Sequence, residues 1–227
     1  MGEMKTVTCP KCGGQIRFEF RAVLSADREP EAAEALRNGT LFNVRCEGCG
    51  FESTIRYPIL YTDMAHRVVI RCCGTDDEEV LRMTAEEAQK TAAAFGPDLR
   101  HRIVTNPDDL REKAEIFRAG LDDRYVEIMK PFVLEQLRAA RPEMPSAFLR
   151  FRMTEGEETF TVFDAEGAPL GNFPFNRKAY EGGIVPNMPL GPEDNVLFVS
   201  PAWVAEYFAR RTAAENQKTD SAPEEVQ

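Results

Sequence analysis

Four of the six cysteines fall in two Cys-x-x-Cys pairs, Cys9/Cys12 and Cys46/Cys49, and this pairing is the clearest chemistry in the chain. A Cys-x-x-Cys in a tight turn puts two sulfurs on one side of a tetrahedral ion, and two such turns complete its shell. Zn2+ is therefore the expected cofactor, with Cys9, Cys12, Cys46 and Cys49 as its metal ligands. Gly13 and Gly50 follow the pairs and permit the positive φ that such turns use. Between Cys12 and Cys46 lie 33 residues, more than the roughly 15 to 20 of a compact site, so folded structure must occupy the gap. A redox dithiol wants a strand before the motif and a helix starting at it, whereas Cys12 leads into Gly13-Gly14 and then alternating residues. That reading and a metal-free or mixed arrangement stay open beside zinc.

The remaining reactive residues are sparse. Cys72-Cys73 reads as a buried thiol at a strand end with a partly exposed neighbour, the alternatives being extra ligands or a strained ring. His66 and His101 are the only histidines, and a turn position and an Arg-rich run predict surface placement for both. Asp76-Asp77-Glu78-Glu79 and Asp122-Asp123 are adjacent acids at helix starts, where the helix dipole accounts for them. No phosphate-cradling Gly-rich loop and no Gly-x-Ser-x-Gly elbow occurs. Four cysteine ligands leave no open position for water, so the expected zinc is structural and the chain is read as no enzyme.

The elements that must position the cysteines follow from periodicity. Ile16, Phe18, Phe20 and Ala22 alternate with Arg17, Glu19 and Arg21, a half-buried strand after an N-terminus expected to be flexible. A short helix or ordered loop over Arg28 to Arg37 comes next, and Leu41 to Arg45 is a strand leading into the second pair. Phe51 to Tyr61 reads as one strand, with Pro58 favouring an edge, and it forms a hairpin with Val68-Val69-Ile70. Thr84-x-x-Glu87 predicts a helix opening that runs to Phe95, and Arg102 to Thr105 a strand. Asn106-Pro107 opens a helix striped by Leu110, Ala114 and Phe117, and Asp122 opens another toward Leu137 that Pro131 should kink or split. Beyond the linker Arg141 to Ser146, the segments Ala147 to Met153, Glu158 to Asp164 and Pro169 to Phe175 read as a β-meander. Val196 to Val199 is a further strand, and Ser200-Pro201 begins a last helix.

Together these predict an α+β chain: a β-rich zinc-ribbon-like N-terminal module with following helices, then a small β-meander plus helix module. The expected boundaries are 1–140, 147–211 and a disordered tail at 212–227. The chain carries a net charge of −10, which argues against a diffuse polycationic nucleic-acid binder. Residues 1–75 hold 10 basic and 9 acidic residues, the remainder 18 and 29, so the cysteine-bearing part is near neutral. No apolar run reaches the roughly 20 residues of a membrane span, and Met1 to Phe20 lacks the pattern of a secretory signal. A cytoplasmic protein without a membrane partner is expected.

The chain resembles the CpXC family of bacterial and archaeal proteins over about residues 5–135. The likeness rests on Cys9-Pro10-Lys11-Cys12-Gly13, Cys46-x-x-Cys49-Gly50 and Tyr57-Pro58-Ile59-Leu60-Tyr61-Thr62-Asp63-Met64, and extends to Leu110-Arg111-Glu112-Lys113 and Gly120 to Arg124. The second knuckle lacks the proline of the first but keeps both ligands. The resemblance implies a zinc-ribbon-like domain and no assigned activity. The expected function is a zinc-stabilised binding or scaffold protein with a protein partner, for which Tyr57, Tyr61 and the Trp203 helix are candidate anchors and core positions the alternative. Nucleic-acid binding through Arg17, Arg21, Arg45, Arg56, Arg67 and Arg71 is a second reading, and an enzyme site in the C-terminal module a third.

Overall fold

The alternation at Ile16, Phe18 and Phe20 becomes strand β2 (Gln15–Phe20), which pairs antiparallel with β1 (Glu3–Thr8) in a register running from Glu3–Phe20 to Thr8–Gln15. The computed structural model describes residues 2–95 and 98–220. β1 lies where a flexible N-terminus was expected. All of its residues are exposed, so no apolar pattern announces it; the backbone ladder and Lys5, seated 3.6 Å over the Phe20 ring, hold it. A second hairpin pairs β4 (Asn43–Arg45) with β5 (Glu52–Thr54). Between the hairpins the chain forms β3 (Val23–Ser25) and α1 (Pro30–Arg37), whose buried Ala32, Ala33 and Leu36 face the core.

β3 belongs to a four-stranded sheet ordered β3-β6-β7-β8, with β6 at Ile59–Asp63, β7 at Val68–Cys72 and β8 at Arg100–Val104. Phe51 to Tyr61 is thus two strands in two sheets. Pro58, with no N–H to give a ladder, stands just before β6, and β6 is an interior strand rather than an edge. β6 and β7 form the expected antiparallel hairpin, and the parallel pairing of β7 with β8 requires a crossover, which α2 (Glu78–Phe95) supplies. α2 starts earlier than the Thr84 box suggests. Asp77 Oδ1 accepts the amides of Glu79 and Val80 at 3.0 Å, while Thr84 donates back to the Val80 carbonyl inside the helix. Tyr57 fills the joint between the first hairpin and this sheet, ringed by Phe18, Phe20 and Phe42 at centroid distances of 5.0 to 6.0 Å.

α3 (Pro107–Arg118) begins as read from sequence, with Asn106 Oδ1 accepting the Asp109 amide at 3.0 Å and Pro107 in the first turn. α4 (Asp123–Ala140) passes through Pro131 as one helix. Apolar contacts on both sides of the proline, Val126 and Met129 before it and Val133, Leu134 and Leu137 after it, anchor the helix across the lost donor. The meander forms as β9 (Phe148–Thr154), β10 (Glu157–Phe163) and β11 (Pro169–Pro174) in the order β11-β10-β9. Its buried Leu149, Phe151, Phe160 and Val162 share one core with Ile116, Leu121, Val126 and Met129 of the preceding helices.

Residues 196–199 form no strand, although Leu197 accepts the Ile103 amide at 2.9 Å and so runs beside β8. The C-terminal helix spans Pro201–Asp220. Residues 212–220 are therefore helical where a disordered tail was expected, since Ala, Glu, Gln and Lys favour helix even with little to bury; 221–227 lie outside the described residues.

Candidate metal centre

Each cysteine pair sits at the tip of a hairpin, the first between Thr8 and Gln15 and the second between Arg45 and Glu52. The two tips repeat one backbone pattern. Gly13 donates to the Cys9 carbonyl at 3.0 Å and Gly50 to the Cys46 carbonyl at 2.8 Å, with both glycines left-handed at φ 72° and 69°. A Cβ at either would carry the strain of positive φ. The opposite ends close through Cys9 N–Gly14 O at 2.7 Å and Cys46 N–Phe51 O at 2.8 Å. At residue 14 a Cβ would come 3.2 Å from Cys12 Sγ, whereas glycine lets its amide approach that sulfur at 3.4 Å.

The tips bring together the four predicted ligands. Cys9 Sγ lies 3.6 Å from Cys49 Sγ and Cys12 Sγ 3.6 Å from Cys46 Sγ, and all four sulfurs fall within 4.8 Å of one another. A disulfide needs about 2.05 Å between sulfurs, so these are separate thiols. A tetrahedron with metal–sulfur bonds of about 2.3 Å has edges of about 3.8 Å, which this set matches. Cys9 and Cys46 are buried and Cys12 is exposed, against a small apolar backing of buried Ile16 and Val44 and partly buried Phe18, Phe51 and Ile55.

Electrostatics also favours a cation. Burial opposes ionising Cys9, but amides of Cys12 and Lys11 and the neighbouring sulfurs outweigh it and bring its thiol down to about 7. At Cys12 the Gly14 amide favours the thiolate, yet the sulfurs of Cys49, Cys46 and Cys9 crowd it and push its thiol up to about 12. The Cys9 thiolate forms readily and the Cys12 thiol beside it resists; a bound cation removes that conflict. The residues present therefore fit a metal ion.

Cys72 and Cys73 stand apart from this cluster. Adjacent strand residues point to opposite faces, and Cys72 enters the core under Tyr57 while Cys73 packs with Ala88 and Ile103. Both are buried, and burial raises both thiols, Cys72 to about 12. His66 is partly exposed, with Nδ1 2.8 Å from Asp63 Oδ2. His101 departs from the surface expectation: it is 3% exposed, because β8 is covered by α2. Tyr57, Tyr61 and Trp203 are core residues and present no anchor to a partner. Among the strand arginines, Arg21 pairs with Glu19 and Glu29, Arg45 with Glu52 and Arg67 with Asp98.

A second cluster was not legible in the sequence. Arg102 holds Asp123 through two 2.8 Å bonds, Lys113 lies 3.0 Å from Asp123 and 3.5 Å from Glu127, and Lys130 bonds Glu127 at 2.6 Å and Glu112 at 2.8 Å. Glu112 continues to the Phe151 amide at 2.6 Å and to Arg150, which also pairs with Asp109. Asp123 thus does more than face a helix dipole: it is fully buried, and its cations hold its carboxyl well below the usual range against the cost of burial. Glu112, Lys113, Glu127, Lys130 and Arg150 of the cluster line a cavity of about 710 Å3 between α3, α4, β9 and the start of the C-terminal helix. A signal existed in the i, i+4, i+7 spacing of Asp123, Glu127 and Lys130 on one helix face. Charge at those positions ordinarily marks a solvated face, so hydrophobic periodicity passes over it.

Among the described residues no helix is long and apolar enough to cross a membrane. A family model described as CpXC protein matches residues 7–130, which is more than half of the chain and includes both hairpin tips, α3 and the start of α4. Neither the curated proteins nor the solved structures contain a match to this chain.

Proposed function

The chain belongs to the CpXC family, and from that membership we propose a non-catalytic, zinc-stabilised binding protein that docks a protein partner. The observation that carries this reading is the set of four sulfurs within 4.8 Å at two hairpin tips. Cys9, Cys12, Cys46 and Cys49 would hold the zinc. Four thiolates fill its tetrahedral shell, so the ion would join two hairpins too small to hold each other and would offer no position to water.

The partner surface follows from β1, an edge strand with every residue exposed, Met4 at 63%. Its free backbone groups and apolar side chains suit strand addition by a partner. With Tyr57, Tyr61 and Trp203 buried, this edge takes the role of anchor.

Elemental analysis of the purified chain tests the metal, with one zinc per chain expected; absence of zinc, and circular dichroism unchanged by a chelator, would end that part. Affinity capture from the native cell tests the partner. A protein held by the wild type and lost with both Cys46→Ser and Val7→Pro is expected, whereas one retained by both would move the interface away from the hairpins.

A further inference from the structure

The cavity of about 710 Å3 beside the charged network has a direction, which α4 sets. This helix contributes Glu127, Lys130, Pro131, Leu134 and Arg138 to the lining, at i, i+3, i+4, i+7 and i+11, the spacing of one helix face. Arg138 therefore projects from the same stripe as the residues that border the interior. Its guanidinium donates to the Ser146 carbonyl, from Nη2 at 3.1 Å and Nε at 3.4 Å, next to Ala147 and Phe148, which line the cavity from the facing side. Lys113, Glu112 and Glu127 are buried, whereas Arg138 is exposed and within reach of an incoming molecule.

The lining holds four cations, Lys113, Lys130, Arg138 and Arg150, against three carboxylates, Asp109, Glu112 and Glu127. Lys130 joins Glu127 to Glu112, Lys113 lies 3.5 Å from Glu127, and Arg150 pairs with Asp109 and Glu112, so these six groups answer one another. Arg138 has no carboxylate within 4.0 Å among the described residues, and the one excess positive charge is its own. From Lys130 to Arg138 the helix rises about 12 Å, and along that stretch the lining is apolar, with Pro131, Leu134, Phe148, Phe198 and Val204. A cavity of several hundred Å3 with an apolar body and a cation at one end is the shape of a small-molecule site. We propose that it binds an elongated amphipathic monoanion whose carboxylate pairs with Arg138 and whose apolar chain lies against Leu134, Phe148 and Val204. One cation calls for one negative charge, and the guanidinium fork matches a carboxylate. The site shares no residue with the metal centre.

Calorimetric titration of the full chain with octanoate, octanamide and octylamine tests this. Saturable binding of one octanoate per chain is expected, at least about tenfold tighter than either of the other two. Arg138→Gln, at an exposed position, should weaken octanoate about tenfold and leave octanamide unchanged, and Arg138→Lys should restore part of the loss. Arg82→Gln, on the exposed side of α2 and away from the cavity, should change nothing. Leu134→Trp, at a partly buried lining position, should block the apolar stretch and abolish binding while circular dichroism stays unchanged. Absence of saturable octanoate binding, equal affinity for octanamide, full affinity in Arg138→Gln or in folded Leu134→Trp, or an equal loss in Arg82→Gln would each overturn the proposal.

Discussion

Arg102, on the last strand of the central sheet, grips Asp123, at the start of α4, through two 2.8 Å hydrogen bonds, and both side chains are essentially inaccessible to solvent. This bidentate pair ties the cysteine-bearing half to the helices that carry the meander. Removing one partner leaves an uncompensated buried charge, so Asp123→Ala should destabilise the fold by about 3 to 5 kcal/mol. Replacing Arg102 and Asp123 together by Met and Leu should recover part of that loss, because the desolvation cost disappears with the charges. Chemical denaturation of the two variants checks both expectations.

Metal removal should act locally. The apolar backing of the cysteine tips is small, with Ile16 and Val44 buried and Phe18, Phe51 and Ile55 only partly so, whereas a structural zinc site contributes on the order of 10 kcal/mol. Chelation, or Cys46→Ser, should speed amide exchange at residues 9–14 and 46–51 while β6 and β7 stay protected. Uniform exchange across all of these segments would contradict that division.

Stability should pass through a maximum in mild acid. Burial alone would raise the Glu112 carboxyl, but Lys130, Arg150 and Arg152 bring it from its ordinary 4.5 to about 2. Its contribution is therefore present above about pH 4.5 and lost as pH falls toward 2. Glu115 runs the opposite way: burial lifts it to about 7 despite Arg152 and Arg111, so ionising it between pH 4.5 and 7 costs the folded state. Glu115→Gln should flatten the decline on the neutral side and raise the melting temperature at pH 8. Glu112→Gln should flatten the acid side and lower stability at pH 6. Melting curves across pH 3 to 8 distinguish the two.

Gly74 should tolerate no side chain. Its φ is 68°, and a Cβ there would meet the Tyr57 backbone at 2.7 Å. Backbone cannot step aside as a flexible side chain can, so Gly74→Ala should cost more than the roughly 1 kcal/mol of the left-handed conformation alone. Gly13→Ala, with open space at its Cβ, should cost only that conformational term. Comparing the two melting temperatures separates steric from conformational strain.

The four-cysteine cluster was legible because its information is local. Two short spacings and two glycines specify two turns whatever surrounds them, and the structure brings those sulfurs together. The α3 cap was legible for the same reason, since Asn106, Pro107 and Asp109 interact within one turn. β1 escaped because it buries nothing, and the division of Phe51 to Tyr61 escaped because alternation cannot say which sheet a strand joins.

Sequence alone therefore determined the cysteine tips, most helices and strands, and the near-neutral charge of the N-terminal part, all properties of residues close together in the chain. Tertiary structure decided what those elements cover. It buried His101 beneath α2, turned Trp203 into the wall of a cavity, and drew Arg102, Lys113, Asp123, Glu127 and Lys130 from three elements into one desolvated network. A charged or aromatic side chain reads alike in sequence whether solvated or enclosed; only the packing of distant elements removes its water, and that removal gives these residues their chemistry.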